Sequence, residues 1–149
     1  MAKTTEDAAG LVTRHLIVTR GGLMIEFKTP KERDDYTQLA NKNPKLLDLV
    51  IDLAECVELM FKKPIVLTSV HRSQDEQDKL YAAGGNKAPK SAHSTWEAVD
   101  LRDKIYTKHE IDFIVNYLNT KYKNENGKKV CLHHAIPGNA NHFHIYLAK

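Results

Sequence analysis

The reading of this chain turns on Ser91-Ala92-His93-Ser94-Thr95-Trp96-Glu97-Ala98-Val99-Asp100 and on a second segment, His142-Phe143-His144. His93 and Asp100 are too far apart for adjacent turns of one helix, and their odd separation would set them on opposite faces of one continuous strand. The chain between them therefore has to bend. A loop carrying His93 leads into a short strand, residues 98–102, that aims Asp100 at the same point. His142 and His144 alternate with apolar residues through Phe143, Ile145 and Leu147, which is strand periodicity, so both imidazoles face one way. Two imidazoles and a carboxylate, from His93, Asp100 and His144, make a donor set of the kind that holds zinc and leaves a fourth position open.

Around these segments the sequence reads as one α+β domain over residues 1–149, a small antiparallel sheet with helices packed on it. Residues 1–10 are polar and expected to be loose, and residues 11–27 hold short apolar pieces broken by Gly21-Gly22, the pattern of a small hairpin. Asn43 and Pro44 supply an N-cap and a first-turn proline, after which Leu46, Leu47, Val50, Leu53, Ala54, Val57, Met60 and Phe61 recur at helical spacing. Lys62-Lys63-Pro64 ends that helix, and the β-branched run 65–70 reads as a buried strand with Arg72 at its far end. Ser73 and Glu76 form a capping box opening a helix through Gln77 and Leu80 to Ala83, which Gly84-Gly85 stops before an exposed loop over 86–90. Thr107 and Glu110 repeat the capping signature ahead of an apolar stripe, Ile111, Ile114, Val115 and Leu118. A polar turn over 121–129 precedes a strand starting at Val130-Cys131-Leu132, joined through Pro137-Gly138-Asn139 to the strand of His142 and His144 as an antiparallel pair.

A chain of 149 residues suffices for one domain with a real core, and a hydrophobic fraction of 42% with 28% charged residues excludes the disordered and fibrous classes. The net charge of +3, from 22 basic and 19 acidic residues, is mild and dispersed. That suits an anionic polymer and falls short of a nucleic-acid footprint, so nucleic acid is not an expected partner. No run approaches membrane-spanning length and the first residues lack the apolar core of a secretory signal, so a monomer made in the cytoplasm without membrane insertion is expected. Cys56 and Cys131 each sit in an apolar run and read as buried, reduced thiols.

Ser91, His93, Ala98 and Asp100 fit the pattern S-x-H-x-x-G-x-A-x-D. With it the chain resembles the zinc D-alanyl-D-alanine carboxypeptidases and their relatives. These include D-alanyl-D-alanine dipeptidases and the L-alanyl-D-glutamate endopeptidases of phage lysis, and the fold also occurs in hedgehog signalling domains. Ser69-Val70-His71-Arg72-Ser73, followed by Gln77 and Leu80-Tyr81, is similar to the family's S-x-x-R-S segment and the helix after it, and His142-Phe143-His144 to its closing H-x-H. The resemblance runs from about Pro64 onward with three segments in order. It implies a hedgehog or D-Ala-D-Ala metallopeptidase-like fold, a zinc cofactor held by His93, Asp100 and His144, and hydrolysis of a peptidoglycan stem-peptide or crosslink bond by an endolysin-type enzyme that reaches the wall after release or delivery. L-Ala-D-Glu and D-Ala-D-Ala cleavage both stay open; the Arg72 segment with Gln77 and Leu80-Tyr81 favours the former.

In that reading Arg72 holds the developing oxyanion or a substrate carboxylate, with Gln77 and Ser91 as further substrate-binding residues; the alternative for Arg72 is a structural ion pair anchoring the next helix. His142, on the strand face of His144, is the available general base, or else orients a ligand. His133 and His134 face opposite ways, so at most one approaches the site, and His134 is the candidate. His15, His71 and His109 are expected as packed or surface residues, while Trp96 and Tyr81 either line the cleft or pack in the core. Two positions depart from the pattern. Trp96 stands at the family glycine, where a positive φ is costly, so the loop is expected to take a different path. Asn141 stands where many relatives carry a glutamate base, and an amide cannot accept a proton. These departures motivate a second reading, a non-catalytic zinc-binding or virion module of the same fold. A third, a cytoplasmic dipeptidase acting on soluble D,D-dipeptide, is motivated by the missing signal.

Overall fold

The helical stripe after Asn43-Pro44 and the β-branched run after Pro64 build the two sides of one core. In the computed structural model, residues 2–6, 13–18, 24–85, 88–135 and 140–149 are described, with side chains from Ile25 onward. The elements are β1 (Ala2–Glu6), β2 (Thr13–Val18), β3 (Met24–Phe27), α1 (Pro30–Lys42), α2 (Pro44–Phe61), β4 (Ile65–Ser69), α3 (Gln74–Ala82), a 3-10 turn (Ala92–Thr95), β5 (Ala98–Leu101), α4 (Lys108–Lys121), β6 (Cys131–Ala135) and β7 (Asn141–Tyr146). The α+β class is as expected.

The strands form one mixed sheet in the order β1-β2-β3-β4-β5-β7-β6. Five of its neighbouring pairs are antiparallel, but β3 and β4 run parallel, with Ile25 opposite Ile65 and Phe27 opposite Leu67. The wholly antiparallel sheet expected from the sequence is corrected on this point. Two helices, α1 and α2, separate these strands and carry the chain back to the end of the sheet where β3 began, the crossover a parallel neighbour requires. The expected hairpin is present as the β2–β3 pair; Gly21-Gly22 lie outside the described residues, as do residues 86–87 and Pro137-Gly138-Asn139. Residues 2–6, expected to be loose, instead form the edge strand β1, while residues 7–10 are also outside the description.

Helix α1 was not foreseen. Its signature is nonetheless in the sequence: Thr29 before Pro30, with the Thr29 N–H donating to Glu32 Oε2 at 3.0 Å. Tyr36 and Leu39 turn its buried side inward. Helix α2 buries Leu46, Leu49, Val50, Leu53, Ala54 and Val57, whereas Met60, assigned to the stripe, is 53% exposed in the final turn. With Ile114 and Leu118 of α4 these side chains cover Phe27, Ile65, Leu67, Val99, Leu101, Phe143 and Ile145 on one face of the sheet. Cys131 is buried and Cys56 half-buried, and both are free thiols. No helix among the described residues is long and apolar enough to cross a membrane.

Two polar clasps tie the helices down. Asn43, 1% exposed, caps α2 by accepting from the Leu46 N–H at 3.3 Å, and its amide nitrogen donates to Trp96 O at 3.1 Å and Leu147 O at 3.0 Å. One side chain thus joins the start of α2 to the loop beside Asp100 and to the chain after β7. Asp52 of α2 accepts from Tyr117 Oη at 3.0 Å and Tyr122 Oη at 2.5 Å and pairs with Lys121 Nζ at 2.9 Å, binding α2 to α4. Burial pushes the Asp52 carboxyl up, but the hydrogen bonds from Tyr122, Lys121 and Tyr117 outweigh it and hold the group below its ordinary value.

Replacing Asn43 with Ala removes a cap and strands two carbonyls, so a loss of about 2–4 kcal/mol in urea unfolding is expected. Asn43→Asp should be no milder, because a carboxylate has no donor for them; a loss under about 1 kcal/mol in both would discount the clasp. Because the folded pKa of Asp52 is depressed, its contribution is present above an unfolded-state pKa of about 3.9 and is lost as pH falls through the folded value. Asp52→Asn should therefore cost about 1.5–3 kcal/mol at neutral pH, with the gap to wild type closing below about pH 4. A gap unchanged down to about pH 3 would rule out an ionised clasp.

Candidate metal centre

Strand register assembles the site. In the β5–β7 ladder Asp100 lies directly opposite His144, so their side chains share a face, and His142, two residues earlier in β7, shares it too. In the β6–β7 ladder His134 is opposite His142, which sets it on that same face. The other face of these strands is core: Val99, Leu101, Phe143 and Ile145 are buried there. His133, on the face opposite His134 as expected, pairs with Asp103 Oδ2 at 2.8 Å.

His93 reaches the site from the 3-10 turn. Ser91 Oγ accepts from the His93 N–H at 3.2 Å, and Ser91 O accepts from Ser94 Oγ at 2.7 Å, which fixes the entry to the turn. Trp96 closes it with φ 62°, and the Glu97 N–H donates to Ala92 O at 3.0 Å before β5 begins. The bend demanded by the spacing of His93 and Asp100 is this turn. Trp96 takes the positive φ that the sequence marks as costly for any residue but glycine, at a cost of about 1–2 kcal/mol. Packing offsets the cost. The indole stacks on His71 at 4.4 Å between centroids, Lys42 Nζ sits 5.8 Å from its ring, and its carbonyl is held by Asn43.

Asp100 is the hub of the arrangement. Its Oδ1 lies 3.2 Å from His93 Nε2, 3.0 Å from His144 Nδ1 and 3.7 Å from His142 Nε2, and its Oδ2 lies 3.8 Å from Arg72 Nη2. Burial alone would push the Asp100 carboxyl up; the neighbouring imidazoles of His93 and His144 outweigh it and hold the group well below the usual carboxylate range. The ring of His93 is anchored on its other side by Nδ1, 3.4 Å from Val70 O, which directs Nε2 inward. That Nε2 is buried and, despite its closeness to Asp100, not aligned for a hydrogen bond, so it has no partner. Ligand atoms of His93, Asp100 and His144 lie within 4.8 Å of one another. An orphaned, buried imidazole nitrogen converging with a second imidazole and an ionised carboxylate fits a borderline divalent ion.

Two cavities open on the cluster, and Arg72 and His142 line both. The first, about 590 Å³, also carries Lys28, Arg102, Lys104 and the exposed Asn141. The second, about 430 Å³, is bordered by Gln77, Tyr81, Ser91, His93, His134 and His144. Gln77 is 5% exposed and its Oε1 has no hydrogen-bond partner; the Nε of Arg72 is likewise buried and unpartnered. Ser91 is buried with its Oγ engaged in the turn. Every residue proposed for the site from sequence thus borders one region: His93, Asp100, His144, His142, Arg72, Gln77 and Ser91. Of the other histidines, His71 packs against Trp96, His109 lines a separate surface hollow on α4, and the side chain of His15 is outside the description. Sequence reasoning missed Lys28, Arg102 and Lys104. Arg102 was within reach of it, since it lies two residues beyond Asp100 along one strand direction.

Comparison of the chain with protein-family models, with curated proteins and with solved structures finds no match in any of the three.

Glycine at position 96 should relieve the backbone cost that alanine retains. Trp96→Gly is therefore expected to be more stable than Trp96→Ala by about 1–2 kcal/mol in chemical denaturation, although both lose the stacking on His71. Equal stabilities would show that residue 96 is not held at positive φ.

Proposed function

We propose that the chain is a zinc-dependent peptidase acting on peptidoglycan stem peptides, of the endolysin type its motifs are similar to. The observation that carries this reading is the convergence of His93, Asp100 and His144, from one turn and two strands, at the meeting point of two cavities. His93, Asp100 and His144 would hold the ion, and zinc bound there would supply Lewis-acid polarisation of the scissile carbonyl and activation of water near neutral pH.

The remaining roles belong to side chains. His142 presents Nε2 to the same region and is the group that takes a proton from the attacking water and returns it to the leaving amine. Arg72, permanently charged and lining both cavities, stabilises the carbonyl oxygen as it gains charge. Gln77 borders the 430 Å³ cavity, where its amide suits the backbone of a bound peptide. Lys28, Arg102 and Lys104 on the 590 Å³ side suit the carboxylates that stem peptides carry. Hydrolysis of an L-Ala-D-Glu bond and of a D-Ala-D-Ala bond both fit this polarity. Asn141, exposed at the cavity mouth where relatives place a glutamate, supports the second reading, a binding module that keeps the ion without the chemistry.

Metal analysis combined with clearing of purified cell walls tests these readings. About one zinc per chain is expected, with clearing abolished by chelation and by His144→Ala. His142→Ala should keep its zinc and lose about 10²–10⁴ in kcat. Zinc without clearing removes the lytic endopeptidase and leaves a D-Ala-D-Ala carboxypeptidase, the soluble-dipeptide enzyme or the binding module, of which only the last fails to hydrolyse D-Ala-D-Ala substrates; absence of zinc removes them all. Mass spectrometry of fragments from defined muropeptides identifies the bond.

A further inference from the structure

The three-ligand set and its proton acceptor leave His134 without a role, although it faces two of their histidines. His134 in β6 faces His142 across the ladder with ring centroids 5.0 Å apart, and its ring lies 5.5 Å from that of His144. One nitrogen from each of His134, His142 and His144 lies within 4.8 Å of the other two. Imidazole ligands on a tetrahedral ion with bonds of about 2.0–2.1 Å stand roughly 3.4 Å apart, so small ring rotations close the set. His142 Nδ1 is turned to Ala140 O at 3.2 Å, which leaves its Nε2 on the cluster side, and His134 has no hydrogen bond or ion pair among the described residues. The strand carrying His134 is the last in the sheet order, and all three rings are half-buried. An ion from solvent can therefore reach them.

We propose that His134, His142 and His144 form a second site for a borderline divalent transition metal, weaker than the first and overlapping it through His144. The chemistry selects the class of ion. A set of imidazole nitrogens suits zinc, cobalt or nickel, whereas magnesium and calcium require oxygen ligands. The order of affinity is set by the donors: the first set has the ionised, buried Asp100 and the orphaned His93 nitrogen, and the second lies nearer to solvent without a carboxylate of its own. With both ions bound, His144 serves each through a different ring nitrogen, which requires its N–H proton to leave to solvent, so the second equivalent binds more weakly than the first. A second ion also occupies His142, so excess metal removes the proton acceptor from the reaction. This last consequence rests on the peptidase reading, whereas the binding itself does not.

Titration of the chelator-stripped full chain with Co2+, monitored by calorimetry and by the absorption bands of tetrahedral cobalt, tests the site without reference to activity. Wild type is expected to take up a tight and then a weaker equivalent. His134→Gln should keep the tight uptake and lose the weaker one, and His93→Ala should keep only the weaker; thermal unfolding checks that each variant is folded. Magnesium and calcium should give no response. Wild-type uptake that stops at the tight equivalent, or a weaker uptake unchanged in His134→Gln, overturns the proposal. Weak uptake retained in His93→Ala with none in His134→Gln would instead leave this site standing and remove the peptidase reading. In the wall-clearing assay excess zinc should inhibit wild type and spare His134→Gln.

Discussion

A carboxylate buried to 4% exposure is the constraint on which this architecture depends. Removing such a group from water costs several kcal/mol, and that cost is recovered only when charges and donors surround it with good geometry. Asp100 is met by one hydrogen-bonding contact, with His144 of the neighbouring strand at 3.0 Å, and by the polar heads of His93 on the turn at 3.2 Å and of Arg72 beyond β4 at 3.8 Å. Each has its own local device, the serine-capped turn for His93 and the β5–β7 register for His144. If any segment were displaced, an ionised group would be left in the interior without compensation.

The sheet accommodates this by keeping its two faces chemically distinct. A slip of one residue between β5 and β7 would carry His144 into the core and Phe143 and Ile145 toward the polar face, so the apolar packing under α2 and α4 fixes the register of the polar cluster above it. The β4–β5 ladder is irregular between Leu67 and Ser69, where two steps along β4 answer one along β5. A bulge of this kind bends and twists its strand and re-aims the residues beyond it. Beyond Ser69 come Val70, whose carbonyl meets His93, and then Arg72. The strongly apolar side of the molecule thus defines where the charged side can be.

Much of this was legible in the chain because the signals were local. Asn43-Pro44, Ser73 with Glu76 and Thr107 with Glu110 announce helix starts through caps, and each opens a helix where expected. The alternation through His142, Phe143, His144 and Ile145 announces a strand with a polar and an apolar side, as found. The features that could not be read were set by pairing across long separations. No local feature of residues 24–27 says that β3 will lie parallel to β4, because that depends on the two helices between them. At Trp96 the local rule pointed the wrong way: intrinsic preference disfavours positive φ, and tertiary contacts with His71, Lys42 and Asn43 prevail. Helix α1 shows the opposite failing, since Thr29-Pro30 and Glu32 carried a sufficient signal that went unread.

The place of β7 has a consequence for how the molecule comes into being. It comes after β5 and β6 in the chain yet lies between them in the sheet, with Ala98 paired to Tyr146 and Cys131 to Ile145. A ribosome therefore delivers both flanking strands before the one that joins them, and each waits with an open edge. The β6–β7 pair is a local hairpin, but closing β5 onto β7, with Ala98 opposite Tyr146, joins distant parts of the chain and is slow compared with forming the helices. Docking of the β6–β7 hairpin on β5 is then the step that first brings His144 to Asp100, so the cluster assembles only once that long-range pairing is made.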